Sequence, residues 1–137
     1  MRTIGLLGAA IVVALGLASS AAAVNPTLAV DRKATLGAAD SVEVVLTYDC
    51  AGWTSAALSV AVEQQKGGSI VSGDAVSVDV VCDGATHTLT VEVFGTGAGG
   101  QPAAFRHGRA DVDAELLGCA EVCGPSVAVA ADIRIVG

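Results

Sequence analysis

Residues 41–50 read SVEVVLTYDC, and they alternate without interruption. Val42, Val44, Leu46, Tyr48 and Cys50 fall on one side of an extended chain; Glu43, Thr47 and Asp49 fall on the other. Side chains along a strand point to opposite faces, so this segment is a strand with one face in a core and one in water. The pattern recurs. Leu58, Val60 and Val62 alternate with Ser59, Ala61 and Glu63, and Val76, Val78, Val80 and Cys82 with Ser77, Asp79 and Val81. Leu89, Val91 and Val93 alternate with Thr88, Thr90 and Glu92. Ala110, Val112, Ala114 and Leu116 alternate with Arg109, Asp111, Asp113 and Glu115. The last run sets Val127, Val129, Ala131, Ile133 and Ile135 against Ala128, Ala130, Asp132 and Arg134.

An opening strand around residues 27–35 brings the number to seven. Glycine-rich breakers separate them, at Gly37, Gly52, Gly67-Gly68, Gly73, Asp83-Gly84, residues 95–100, Gly108 and Gly124-Pro125. No segment of useful length repeats its apolar residues every 3.6 positions. The expected fold is therefore all-β: an immunoglobulin-like β-sandwich of about seven antiparallel strands. Its inward faces hold mainly Val, Ala, Leu and Ile, and the chain has only four aromatic residues, Tyr48, Trp53, Phe94 and Phe105. A core of small aliphatic groups is thin, and cross-links compensate for small buried volume. Trp53, three residues after Cys50, is placed to pack on a disulfide there, as in immunoglobulin domains.

The cross-links are available. Cys50, Cys82, Cys119 and Cys123 are the only cysteines, an even number that reads as two disulfides in an exported chain. Three pairings are possible; Cys50–Cys82 with Cys119–Cys123 is favoured. A zinc site built on Cys119 and Cys123 would have only the two histidines left to complete it, so no metal is expected.

Export is read from the N-terminus. Arg2 precedes an uncharged apolar run over residues 4–17, and Ala21-Ala22-Ala23 supplies the small residues that a signal peptidase cuts after. Residues 1–23 are expected to be a signal peptide and residues 24–137 a single secreted, extracellular domain. The run is short for a membrane span, so no membrane insertion is expected after cleavage. Without Arg2 the chain holds six basic and fourteen acidic side chains, a net charge of −8. That balance repels phosphate backbones, and four aromatics make no base-stacking platform, so nucleic acid is not an expected partner.

The order of motifs carries a resemblance: a leader, a strand ending TYDC, then VAVEQQKGG, CDGATHTLTVEV and AFRHGRADVDAELLGCAEVC. It resembles a group of small exported immunoglobulin-like domains of high-GC Gram-positive bacteria with no assigned function. The resemblance implies fold and export and carries over no active site. A more distant similarity is to the neocarzinostatin-type apoproteins, acidic seven-stranded sandwiches with two disulfides, one of them local, that hold an enediyne chromophore. The local Cys119–Cys123 loop fits that plan. The long Cys50–Cys82 spacing and the scarcity of aromatics depart from it.

Four segments could carry chemistry. Cys82-Asp83-Gly84 with His87 reads as a stapled turn, because a disulfide sulfur is not a nucleophilic thiolate. Residues 95–100, GTGAGG, match a dinucleotide fingerprint, but Gln101-Pro102 and another strand follow where a helix is required. They read as an inter-strand loop, and no cofactor is expected. Asp111, Asp113 and Glu115 share one strand face and read as a solvated row without EF-hand spacing. Residues 105–109, FRHGR, are the basic cluster of an acidic chain. Thr96, Gln101, Phe105, Arg106, His107 and Arg109 are the candidate contact residues, on loops where binding surfaces usually sit. No Ser/His/Asp set has a recognisable local motif. The reading is a monomeric, non-catalytic binding or envelope-associated module, its partner an exported protein or a small ligand. The rival readings are a small-ligand carrier of the neocarzinostatin type and an inhibitor of exported proteases.

Overall fold

The computed structural model describes residues 25–137; the expected signal peptide lies outside the described residues. The described residues form eight strands: β1 (Thr27–Val30), β2 (Lys33–Leu36), β3 (Val42–Asp49), β4 (Ser55–Lys66), β5 (Ser69–Ser77), β6 (His87–Val93), β7 (Gly108–Cys119) and β8 (Val127–Val136). Its helical content among the described residues is two three-residue 3-10 turns, Ala38–Asp40 and Ala98–Gly100. The fold is the expected all-β sandwich stapled by two disulfides.

One layer is β3 with β6 on one edge and β1 on the other; the second runs β5–β4–β7–β8. β2 joins them, pairing antiparallel with β3 through Thr35 and Leu36 and parallel with β8 through Lys33–Thr35. Two details differ from the sequence reading: there are eight strands, and one pairing is parallel. The cause is local. The Asp31 carboxylate accepts the Lys33 N–H at 3.1 Å, a side-chain turn that competes with the ladder and splits the opening strand in two.

The alternation seen in the sequence is the core. Val42, Val44, Leu46 and Tyr48 of β3 face Leu58, Val60 and Val62 of β4 and Val112, Ala114 and Leu116 of β7, all buried. Ile133 and Ile135 of β8, Val91 and Val93 of β6, and Phe105 complete the interior. Trp53 lies on Gly118, where an added Cβ would sit 1.9 Å from the indole. A glycine is required there for the ring to close that end of the sandwich.

A strand was expected over residues 76–82, and the structure moves it. β5 ends at Ser77, and Val76 and Val78 are 66% and 77% exposed. Gly67-Gly68, at φ 60° and 85°, form a two-residue hairpin turn that joins β4 directly to β5. Gly73 is not a breaker but a crossing point. A Cβ there would stand 2.0 Å from the Phe94 carbonyl oxygen. The close approach lets Ser72 and Thr96 exchange two backbone hydrogen bonds at 3.0 and 2.7 Å. Residues 78–86 are then free to carry Cys82 back to Cys50, at the end of β3, with a Cα separation of 5.2 Å. The second disulfide, Cys119–Cys123, closes a tight loop after β7.

Candidate functional site

The Cys82 turn is a staple. Both sulfurs are bonded, and among the described residues no cysteine is free. The Asp83 carboxylate accepts the Ala85 N–H at 3.0 Å and meets His87 Nε2 at 2.7 Å. These bonds, the one from His87 foremost, hold the Asp83 carboxyl below its ordinary range. The Tyr48 hydroxyl accepts the Val81 N–H at 2.9 Å, and its ring lies 5.8 Å from the His87 ring. The cluster ties the loop to the start of β6 through Tyr48, Asp83 and His87.

The candidate contact residues separate into two places. Thr96 and Gln101 are exposed on the glycine loop, and the Thr96 hydroxyl donates to the Ser72 carbonyl at 3.1 Å. That loop folds on itself through Gly97 N–H to Gln101 O at 2.7 Å, with Gly99 and Gly100 at positive φ. No helix follows it. Arg106, His107 and Arg109 are exposed around the start of β7. Phe105 must be withdrawn from the contact set: it is 1% exposed and belongs to the core, because the loop turns its ring inward between the layers.

What fixes this segment is Gln64, which the sequence reading did not single out. It is 2% exposed on the inward face of β4. Its carbonyl oxygen accepts the Arg106 N–H at 2.8 Å. Its amide donates to the Arg106 and Arg109 carbonyls at 2.8 and 3.2 Å. Beyond it, the Lys66 ammonium donates to the His107 carbonyl.

A broader surface feature lies elsewhere, on the outward face of β5–β4–β7–β8. Strand register sorts its side chains into rows. Asp132, Asp111 and Glu63 stand side by side on β8, β7 and β4. In the next row are Ala130, Asp113, Ala61 and Asp74, and then Ala128, Glu115, Ser59 and Val76. Small residues make the floor and carboxylates stand out of it. An open trough of about 540 Å³ runs over Ser59, Ala61, Asp113, Glu115, Ala128 and Ala130, with Asp74 at its side. A second of about 570 Å³ adjoins it over Arg32, Glu63, Asp111 and Asp132. At the far end the face turns apolar, with Val76 66% and Leu117 44% exposed.

The acidic row shows its crowding. Asp111 shares a hydrogen bond with Asp132 and faces Glu63, which together with partial desolvation raises its pKa above the ordinary aspartate value. The sequence showed Asp111, Asp113 and Glu115 as a solvated row. Register adds the alanines opposite them, and only cross-strand pairing makes a floor of them. Among the described residues, no group of three or more His, Cys, Asp or Glu side chains is placed to hold a metal ion, and no helix is long and apolar enough to cross a membrane.

No family model, no curated protein and no solved structure matches this chain.

Proposed function

We propose that this is an exported, non-catalytic binding protein whose outer β5–β4–β7–β8 face takes a small amphipathic cation. One observation carries the reading: an alanine-floored trough walled by Asp74, Asp113 and Glu115 opens at one end onto exposed Val76 and Leu117. Carboxylates favour an ammonium or amidinium group, and the apolar end favours a hydrocarbon or ring body beside it. Export is supported by the two disulfides, which persist in oxidising compartments. The non-catalytic character is supported by where the histidines are. His87 is bonded to Asp83, and His107 is on the loop before β7; neither lines the trough.

An open trough gives modest affinity. At about −0.3 kcal/mol per heavy atom, a cation of about 12 atoms binds with about −3.6 kcal/mol, a Kd of about 2 mM. Methyl NMR of the 13C-alanine-labelled domain tests the site, with octyltrimethylammonium as probe and octyl sulfate as its anionic counterpart. The expected result is saturable shifts at Ala61, Ala128 and Ala130 with the cation alone, weakened by Glu115→Gln and Asp113→Asn. Equal shifts with octyl sulfate, or shifts that avoid these three methyls, would refute the reading.

A further inference from the structure

The lysines and arginines of an acidic protein usually scatter among its carboxylates. Here every one among the described residues stands at the same end of the sandwich. Lys33 of β2, Arg134 of β8 and Arg109 of β7 are cross-strand neighbours in a single row. Arg32 joins it through its backbone, its carbonyl accepting the Arg134 N–H at 2.8 Å, while the residue lines the adjoining acidic trough with Glu63, Asp111 and Asp132. Arg106 and Lys66 extend the strip on the other side: Gln64 clamps the backbone of residues 106 and 109, and Lys66 reaches the His107 carbonyl. All six side chains are exposed.

Two features argue that this charge is held for another molecule. Like charges directly opposite one another on neighbouring strands destabilise a sheet, yet the row places three in register. Fourteen carboxylates are available to neutralise six cations. Among the described residues only Arg109 has one at ion-pair distance, Asp132 at 3.5 Å. Asp31, two residues before Lys33, accepts the Lys33 backbone N–H instead of its ammonium.

We infer that this strip binds a linear phosphate-bearing polymer, one thin chain crossing the ends of β2, β8 and β7. Adjacent strands are about 4.8 Å apart, so the three-residue row spans about 10 Å. One phosphate is too small to meet all three cations, and successive phosphates on a chain are not. Four of the six cations are arginines, whose planar forks match phosphate oxygens in pairs. The shape of the partner follows from the rest of the molecule. A bilayer or a duplex laid on the strip would cover the adjoining row Asp132–Asp111–Glu63, whereas a single strand laid along Lys33, Arg134 and Arg109 runs beside that row and not across it. The strip has no aromatic to stack a base, since Phe105 is inside the core. The inference is independent of the trough.

The test titrates the disulfide-bonded domain with long-chain inorganic polyphosphate at low and at physiological salt. Arms at equal total phosphate use orthophosphate, phosphatidylglycerol vesicles and single-stranded DNA. Polyphosphate should bind with a log K that falls with log salt by about 0.7 per contacted phosphate, a slope of about −2 for three contacts. Orthophosphate should bind at least about ten-fold more weakly. Arg109→Gln and Arg134→Gln should each lower affinity several-fold and flatten the slope by about 0.7, Arg134→Lys should keep the slope, and Glu121→Gln, in the distant Cys119–Cys123 loop, should change nothing. The melting temperature of each variant verifies its fold. Absence of polyphosphate binding at low salt, binding indifferent to the double Arg109→Gln/Arg134→Gln change, or tighter binding to vesicles or to single-stranded DNA would overturn the inference.

Discussion

Gln64 is the one side chain whose loss should loosen the whole segment before β7. In Gln64→Ala three hydrogen bonds vanish: one from the Arg106 N–H and two to the Arg106 and Arg109 carbonyls. At about 1 kcal/mol net for each, the loss is about 3 kcal/mol. The site is 2% exposed, so water does not easily replace the amide. A domain of this size has about 5–15 kcal/mol in all. With a urea m-value of about 1.2 kcal/mol/M, the midpoint should fall by about 2–3 M, read from Trp53 emission with both disulfides intact. Gln64→Glu sharpens the test. Its carboxylate can accept the Arg106 N–H but meets two carbonyl oxygens where the amide donated. Its folded pKa must therefore rise above the unfolded value, about 4.3. The native state then holds the proton more tightly, so stability is highest below about pH 4 and falls as pH rises through the folded pKa. Gln64→Glu should be the milder change at pH 4 and the worse one at pH 7, while Gln64→Ala costs the same at both. A Gln64→Ala loss below about 1 kcal/mol, or a Gln64→Glu loss independent of pH, would show that the clamp does not hold the segment.

Three further outcomes follow from the same structure. Asp111 has a raised pKa, so its contribution to stability is present below the usual aspartate value and is lost as pH rises through the folded one. Asp111→Asn should raise the melting temperature at pH 7 more than at pH 4, and equal changes at both would contradict the crowding by Asp132 and Glu63. Removing both cysteines of the Cys50–Cys82 pair frees a 32-residue loop, about 3.7 kcal/mol by chain entropy, against about 1.9 for the 4-residue Cys119–Cys123 loop. Denaturation of the two double-alanine variants should rank them in that order. Gly118→Ala drives a methyl into the indole of Trp53, so it should cost about 1–3 kcal/mol and shift Trp53 emission to the red; an unchanged spectrum would place the ring elsewhere.

The sequence exposed what period two can expose. The buried faces of β3, β4, β7 and β8 are the residues the alternation selects, because parity alone decides which side of a strand meets the core. Gln64 has that parity too, continuing Leu58, Val60 and Val62, and only its polarity hid it. The strand near residue 76 was misplaced for a different reason. Gly67-Gly68 and Gly73 look alike in a sequence, yet the first pair makes a hairpin and the last admits a crossing backbone. The trough and the basic strip were half visible: the sequence offered Asp111, Asp113 and Glu115 and residues 105–109, but not what stands opposite them. Ala61, Asp113 and Ala130 become neighbours only through strand register, and so do Lys33, Arg109 and Arg134.

β2 joins the two layers with four residues, and its parallel partner on β8 lies about a hundred residues further along the chain. The first part of the domain to be synthesised is thus completed by the last. Until Arg134 to Val136 are present, β2 lacks one of its two neighbours and the seam between the sheets stays open. The lock between the two layers therefore closes only after the final strand has been made.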